Sequence, residues 1–367
     1  MTYIIFRSIV ASTVRSVAVL RENDERTSLV PLAGKLAVVL RCAAAVVALL
    51  FVPAAIAAGG LLRLESSLDA MGTTYTIVAY GEDRYRLQGA IDESFEEVRR
   101  LDAMLSNYRP GSEWSRMNRE AGAKPFRVTP ETFQLLESCM DYSRKSEGAF
   151  DVTVGPLMKV WGFYKGTGRL PHRAEIRGAL ARVGWRKVKL NSEEVTVQFL
   201  RSGMDLDPGG IGKGYAVDRV VELLNQRKVH SALISAGGSS IFGLNAPPNE
   251  SGWKVKIRHP RQLADNPNVR PVAEVVLHNL SMSTSGSAEK HFVSGGMTYS
   301  HIFDPRNGYP AQGILSVTVL APKTIDSEAW TKPVFINGRQ WAEENLPRQL
   351  RAFICEDKAE QSCAWLR

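Results

Sequence analysis

The sequence is poor in cysteine, with four in 367 residues. That is too few for a disulfide scaffold, and no Cys-x-x-Cys or Cys/His pair has zinc-like spacing. It also lacks a dense block of lysine and arginine. The formal charge is +8, part of it in the first 60 residues and the rest dispersed. A dispersed excess leaves no footprint for nucleic acid and is compatible with a small anionic substrate. No repeat of solenoid or propeller length is present. Hydrophobic residues at 44% and charged residues at 23% exclude a disordered or collagen-like chain.

One long apolar run stands out. Cys42–Ala58 carries no charge, Lys35 and Arg41 precede it, and Ala55-Ile56-Ala57 has the small-residue pattern of a cleavage site. Together these predict a secretory signal cut near Ala57 or Ala58. The run is nearly long enough to span a bilayer, so an uncleaved membrane tether is the alternative. Either way the folded part is expected to be exported, in the periplasm or on the outer face of the cytoplasmic membrane. Residues 1–58 are then the extension and 59–367 the functional domain. Cys139 is expected to be a buried small hydrophobe. Cys355 and Cys363 flank a C-terminal hairpin and, in an oxidising compartment, either pair or stay free.

Beyond the extension, periodicity sets the elements. Leu87, Ile91, Phe95, Val98, Leu101 and Leu105 recur at helical spacing. Thr129 and Pro130 have the chemistry of an N-cap and a first helical position. A third helix is expected over Tyr215–Leu224, and a hairpin over Val188–Leu190 and Val195–Phe199. Strands are expected at Leu61–Leu68, Thr73–Tyr80, Leu233–Ser235, Val255–Arg258, Ala273–Leu277, Tyr299–Phe303 and Ser316–Leu320. Residues 245–272 look like a surface excursion. Without regular βαβ alternation, this is an α+β fold with a largely antiparallel sheet.

Five segments carry polar chemistry. Asp205-Leu206-Asp207-Pro208-Gly209-Gly210-Ile211-Gly212-Lys213-Gly214-Tyr215 is a glycine-rich loop entering a helix. It either cradles a phosphate, with Lys213 as a point charge, or is a tight structural turn. It matches neither the Walker A nor the dinucleotide fingerprint. Ser283-Thr284-Ser285-Gly286-Ser287 reads as a hydroxyl-rich turn that could face a polyanion, though such turns are more often ordinary loops. His301, at a strand end before Asp304-Pro305, could act as a general base, although a lone histidine is usually not catalytic. Glu328 and Thr331 would share a helical face and suit a hard cation, or Glu328 is merely solvated. Gly148–Pro156 looks strand-like, and its Asp151 either caps a turn or meets ligand hydroxyls.

In their order along the chain, these segments resemble the FAD:protein FMN transferase family, also called the thiamine-biosynthesis lipoprotein family. The resemblance runs through Met71-Gly72-Thr73, Leu105-Ser106-Asn107-Tyr108, Ser112-Glu113, Asn118 and Gly148-Ala149-Phe150-Asp151. It continues through the glycine loop, Ala236-Gly237-Gly238, Ser283-Thr284-Ser285-Gly286 and His301-Ile302-Phe303-Asp304-Pro305. It covers roughly residues 64–340.

The resemblance implies a single T-fold-like α+β unit. FAD would bind as substrate with its pyrophosphate near Gly209–Gly214, contacted by Met71, Tyr108, Ala149, Phe150, Asp151, Asp207 and Lys213. Mg²⁺ would be held by the Gly210 carbonyl, Glu328 and Thr331. His301 would accept the proton of a Ser or Thr hydroxyl on an acceptor redox protein, with Asp304 orienting it, as FMN is transferred and AMP released. Two alternatives keep the fold: a non-catalytic flavin-binding protein and an FAD pyrophosphatase.

One segment departs from the family pattern. Where Asp-Ala-x-[Ser/Asp/Ala]-Thr-Ala is usual, this chain reads Glu328-Ala329-Trp330-Thr331-Lys332-Pro333. Lys332 puts a cation where a metal ligand is expected. Either it points away and Thr331 supplies the oxygen, or it neutralises the pyrophosphate itself. Pro333 also argues against a continuous helix here. Ser239 stands where an acidic residue is common.

Overall fold

The computed structural model describes residues 61–166, 168–261, 271–358 and 362–366. The expected signal or anchor and the division at residue 58 lie outside the described residues. Among the described residues, no helix is long and apolar enough to cross a membrane.

The chain begins with a hairpin, β1 (Leu62–Ala70) and β2 (Thr73–Gly81), followed by helices α1 (Arg84–Leu105) and α2 (Glu113–Glu120). Short strand β3 (Phe126–Arg127), helices α3 (Pro130–Lys145), α4 (Gly155–Val160) and α5 (Arg173–Leu180), and hairpin β4 (Val188–Asn191) and β5 (Thr196–Phe199) come next. Helix α6 (Gly212–Gln226) leads into β6 (Ser231–Ala236) and β7 (Ser240–Leu244). Two further hairpins flank one strand: β8 (Trp253–Ile257) with β9 (Ala273–Leu277), then β10 (Leu280–Gly286), then β11 (His291–Ser294) with β12 (Met297–Ser300). The chain closes with β13 (Ile314–Ala321), α7 (Thr324–Asn345), β14 (Arg351–Glu356) and β15 (Ser362–Leu366).

Eight strands form one sheet in the order β1-β2-β6-β7-β10-β13-β14-β15. Every neighbouring pair in it is antiparallel. This confirms the α+β, antiparallel expectation. Strand alternation sends Tyr75, Ile77 and Ala79 to one face, where they pack with Leu87, Ile91 and Val98 of α1 and Val217 and Val220 of α6. Farther along, Val317 and Val319 pack with Val334 and Phe335 of α7. The opposite face of the sheet buries Val78, Ile241 and Leu320 against Trp253, Val275 and Leu277 from the β8–β9 hairpin. The chain leaves the sheet after Gly286 and rejoins it at Ile314, and β10 and β13 are direct neighbours.

Local chemistry explains several helix starts. Asp83 accepts from the N–H groups of Tyr85 and Arg86 at α1. Thr129 accepts from Thr132 N–H at α3, with Pro130 in the first turn. Like α4 and α6, α7 has no side-chain cap of its own. Asp218 of α6 serves instead, accepting from Thr324 N at 2.7 Å and Ile325 N at 2.9 Å.

Three local expectations are corrected. Ser283–Gly286 is no turn; it belongs to β10, whose alternate hydroxyls face α7. Gly148–Pro156 is not strand-like but a 3₁₀ turn leading into α4. Helix α7 continues through Pro333, despite the bias against helix before proline, because its buried face is held by the sheet. The helical run breaks later, at Gly338, with φ 80° and ψ −174°. The C-terminal hairpin forms as expected, and Cys355 and Cys363 are disulfide-bonded across it. Cys139 is free and buried.

Candidate active site

The glycine loop and α7 meet at Gly214. A side chain there would collide with the Thr324 carbonyl and with Glu328. Absence of a Cβ lets α6 start against α7. Gly214 N donates to Glu328 Oε2 at 2.5 Å, and Lys213 Nζ lies 3.0 Å from Glu328 Oε1. Glu328 is only 2% exposed. Burial pushes its pKa up, but the ammonium groups of Lys213 and Lys332 outweigh this and hold it below the usual carboxylate range. The same carboxylate raises the pKa of Lys213.

Lys332 projects into this place. Its Nζ donates to the Glu328 carbonyl at 2.9 Å, and its side chain packs beside Gly210, as does the Phe150 ring. Thr331, one residue earlier on α7, turns the other way. It is fully buried, shares a 2.8 Å hydrogen bond with Ser285 Oγ, and donates to the Glu328 carbonyl. Ser327 meets Ser281 and Ser283 in the same manner. The hydroxyls of β10 therefore pin α7 to the sheet and do not face a polyanion.

His301 follows β12. Its backbone N–H and its ring Nδ1 both reach the Lys290 carbonyl, at 3.0 and 3.2 Å. A carbonyl only accepts, so Nδ1 carries the proton and Nε2 is left as the acceptor. Burial, with the positive charges of Lys290, Lys332 and Lys213, pushes the ring pKa down to about 4 against the opposing pull of the Lys290 carbonyl bond. The imidazole is thus neutral near pH 7. Asp304 is not the group that orients it. Its carboxylate is bound by Arg306 at 2.8 and 2.9 Å and by the following turn, where Asp-Pro chemistry favours such bonds.

The expected flavin contacts fall into two groups. Met71, at the left-handed β1–β2 turn, extends its terminal methyl toward Gly212. Ala149 and Phe150 are buried, and the Phe150 ring lies against Gly210. Asp207 caps the loop by accepting from Gly209 N at 2.7 Å. Burial raises its pKa, and Tyr164 and the charges of Lys290 and Lys213 act against that rise. Tyr108 is 73% exposed and stands 5.6 Å, centroid to centroid, from Tyr164. A cleft of about 790 Å³ opens beside this pair, also lined by Asn118, Lys159, Arg182 and Asp205. That volume is in the range of small-molecule sites. Asp151 is the outlier: its carboxylate accepts from Thr153 N, Thr153 Oγ1 and Trp185 N, which is the turn-capping alternative.

The sequence profile of the ApbE family matches residues 71–354. The chain belongs to the ApbE family. It is 32% identical over 298 residues to the FAD:protein FMN transferase of Treponema pallidum, covering 76% of this chain and 81% of that one. It is 30% identical over 307 residues to the enzyme of the same name from Salmonella typhimurium, covering 81% and 85%. Among solved structures, the ApbE protein of Thermotoga maritima superimposes with a TM-score of 0.74 at 26% identity, covering 83% of this chain and 97% of that one. The flavinyl transferase ApbE of Pseudomonas stutzeri, in its apo form, gives 0.73 at 26% identity, covering 83% and 95%.

Within the ApbE frame, the residues expected to hold Mg²⁺ do not fit it. Thr331 is committed to Ser285. Glu328 is already compensated by two ammonium groups and an N–H. The Lys332 chain lies alongside Gly210. Mg²⁺ wants a near-octahedral set of oxygens and keeps away from fixed cations. Among the described residues, no cluster of three His, Cys, Asp or Glu side chains could hold a metal ion.

Sequence reasoning missed Asp218, Lys290 and Tyr164. Asp218 acts across two helices and leaves no local signal. Lys290 contributes a backbone carbonyl, which any residue would supply. Tyr164 sits on a short 3₁₀ turn, and its hydroxyl accepts from Asn107 at 2.7 Å, linking it to an otherwise visible motif.

Proposed function

We propose that this chain transfers FMN from FAD to a Ser or Thr hydroxyl of an acceptor redox protein and releases AMP. The observation that carries the reading is His301. It is a neutral imidazole with Nε2 as the open acceptor, within the field of the lysines beside the glycine loop. The likeness to named FAD:protein FMN transferases over most of the chain supports the same reaction.

In this reading, the FAD pyrophosphate lies along Gly209–Gly214 and α6, where the helix start and Lys213 favour negative charge. Phe150, Met71 and the Tyr108–Tyr164 pair flank the nucleotide. The acceptor hydroxyl forms a bond to the FMN phosphorus while the bond to the bridging oxygen breaks, and the AMP oxygen leaves with that electron pair. The hydroxyl proton passes to Nε2 of His301. Phosphoryl transfer asks a protein mainly to position the reactants and offset charge. Glu328 acts indirectly, fixing Lys213 in place.

We further place the reaction outside the cytoplasm. Support comes from the signal-like run at Cys42–Ala58 and from the Cys355–Cys363 disulfide, since such bonds persist in oxidising compartments.

The test is to incubate the chain with FAD and an acceptor protein bearing a Ser/Thr flavinylation motif. Mass spectrometry of the acceptor then reads the adduct. A covalent FMN adduct that His301→Ala abolishes is the expected result. Free FMN without an adduct would replace the reading with a pyrophosphatase, and FAD binding without turnover would replace it with a flavin carrier.

A further inference from the structure

We propose that Lys332 takes the place of a divalent cation in this chain, so that two ammonium groups neutralise the FAD pyrophosphate and transfer proceeds without Mg²⁺. The inference rests on the flavin-transfer reading above and concerns how that same site handles charge.

Three observations converge. First, the Lys332 side chain occupies the space between α7 and the loop, packed against Gly210, where the metal was expected. Second, its ammonium is held there, donating to the Glu328 carbonyl at 2.9 Å. Third, one of the three expected ligands is removed, because Thr331 faces Ser285 and the sheet.

The charge arrangement follows. Lys213 and Lys332 both interact with the single buried carboxylate of Glu328. Glu289, Lys290 and Asp207 also act on this region, and together with the central three they give three cations and three anions. The empty site is therefore close to neutral, with ammonium groups placed to meet an incoming dianion. A divalent cation would enter against two fixed ammonium groups, with the nearby carboxylates of Glu328 and Glu289 already shared with them. Lysine meets phosphate as a compact point charge with three donors, which is the role required.

The experiment uses the full-length chain and two readouts: FAD affinity by fluorescence titration and FMN adduct on the acceptor, each in Mg²⁺ and in EDTA. The proposal expects both to differ by less than about twofold between the two conditions. It expects Lys332→Met to weaken FAD binding about tenfold or more, with no rescue by Mg²⁺. It expects Lys332→Thr to be weak in EDTA and rescued by Mg²⁺, with Mg²⁺ uptake visible by calorimetry. An adduct that forms in Mg²⁺ and vanishes in EDTA for the unaltered chain overturns the proposal and leaves the transferase reading intact. The comparison on the unaltered chain needs no variant, so a misfolded substitution cannot blur it. Failure to bind FAD under either condition overturns both.

Discussion

His301 Nδ1 lies 3.2 Å from the carbonyl oxygen of Lys290, the same carbonyl that accepts the His301 backbone N–H. One peptide oxygen thus fixes both the position of the residue and the tautomer of its ring. With burial and three lysines holding the pKa at about 4, the base stays unprotonated well below the ordinary histidine value of 6.5. The acid limb of kcat/KM for the free enzyme should therefore fall near pH 4, not near pH 6.5. The sign is set by charge: protonation below that pH removes the acceptor on Nε2. His301→Ala should lower the transfer rate by about 10²–10⁴-fold, read from adduct formation over time.

Lys213 is the second prediction. It is joined to Glu328 at 3.0 Å and lies within the glycine loop's own sequence. Lys213→Met should weaken FAD binding by about tenfold to a hundredfold, as expected for losing a charge-assisted bond to phosphate. Fluorescence titration reads the effect, and unchanged affinity would place the pyrophosphate elsewhere.

Asp218 should matter for stability. It caps α7 from a neighbouring helix, and α7 carries Glu328 and Lys332. Asp218→Ala should cost about 1–2 kcal/mol, seen as a lower Tm, and Asp218→Asn less. Burial holds the Asp218 pKa up at about 6 against an ordinary 3.8. A raised carboxylate pKa means the folded form binds the proton more tightly. Its contribution is full below 3.8 and lost as pH rises through about 6. Asp218→Asn should flatten that part of the stability profile.

Thr331 separates a structural hydroxyl from a metal ligand. Its bonds go to Ser285 and to the Glu328 carbonyl. Thr331→Val should lower stability by about 1–2 kcal/mol through the unpaired Ser285. Its FAD affinity should respond to Mg²⁺ no differently from that of the unaltered chain, measured by the same titration.

The legible and illegible parts of the chain differ by range. Helix α1 was visible in its apolar repeat, and α3 in Thr129-Pro130, because those signals are local. The β4–β5 hairpin was visible for the same reason. Strand β10 was not, since Ser281, Ser283 and Ser285 lack strand-forming side chains and earn their place by meeting Ser327 and Thr331 far along the chain. The path of α7 was obscured by Pro333. At the site, Lys213 is held by Glu328 and His301 by the Lys290 carbonyl, partners that no local pattern shows. Asp304 failed as an orienter because its sequence proximity to His301 is not proximity of its carboxylate, which Arg306 claims.

The excursion between β10 and β13 has its own consequence. Gly286 pairs with Ser316 across adjacent strands, and Ser287 N–H donates to the Leu315 carbonyl at 2.9 Å, so the excursion's two ends are stitched together at the sheet. The excursion that carries His301 starts and ends at that stitch, and its middle is docked by Phe303 and the Gly308 carbonyl against Trp161. The base is in effect a cassette mounted on an oversized hairpin. Lengthening such a cassette away from Lys290 and His301 costs only about 0.6 kcal/mol per doubling in closure entropy. In the proposed reaction, the surface offered to the acceptor protein can thus be rewritten while the nucleotide end stays fixed.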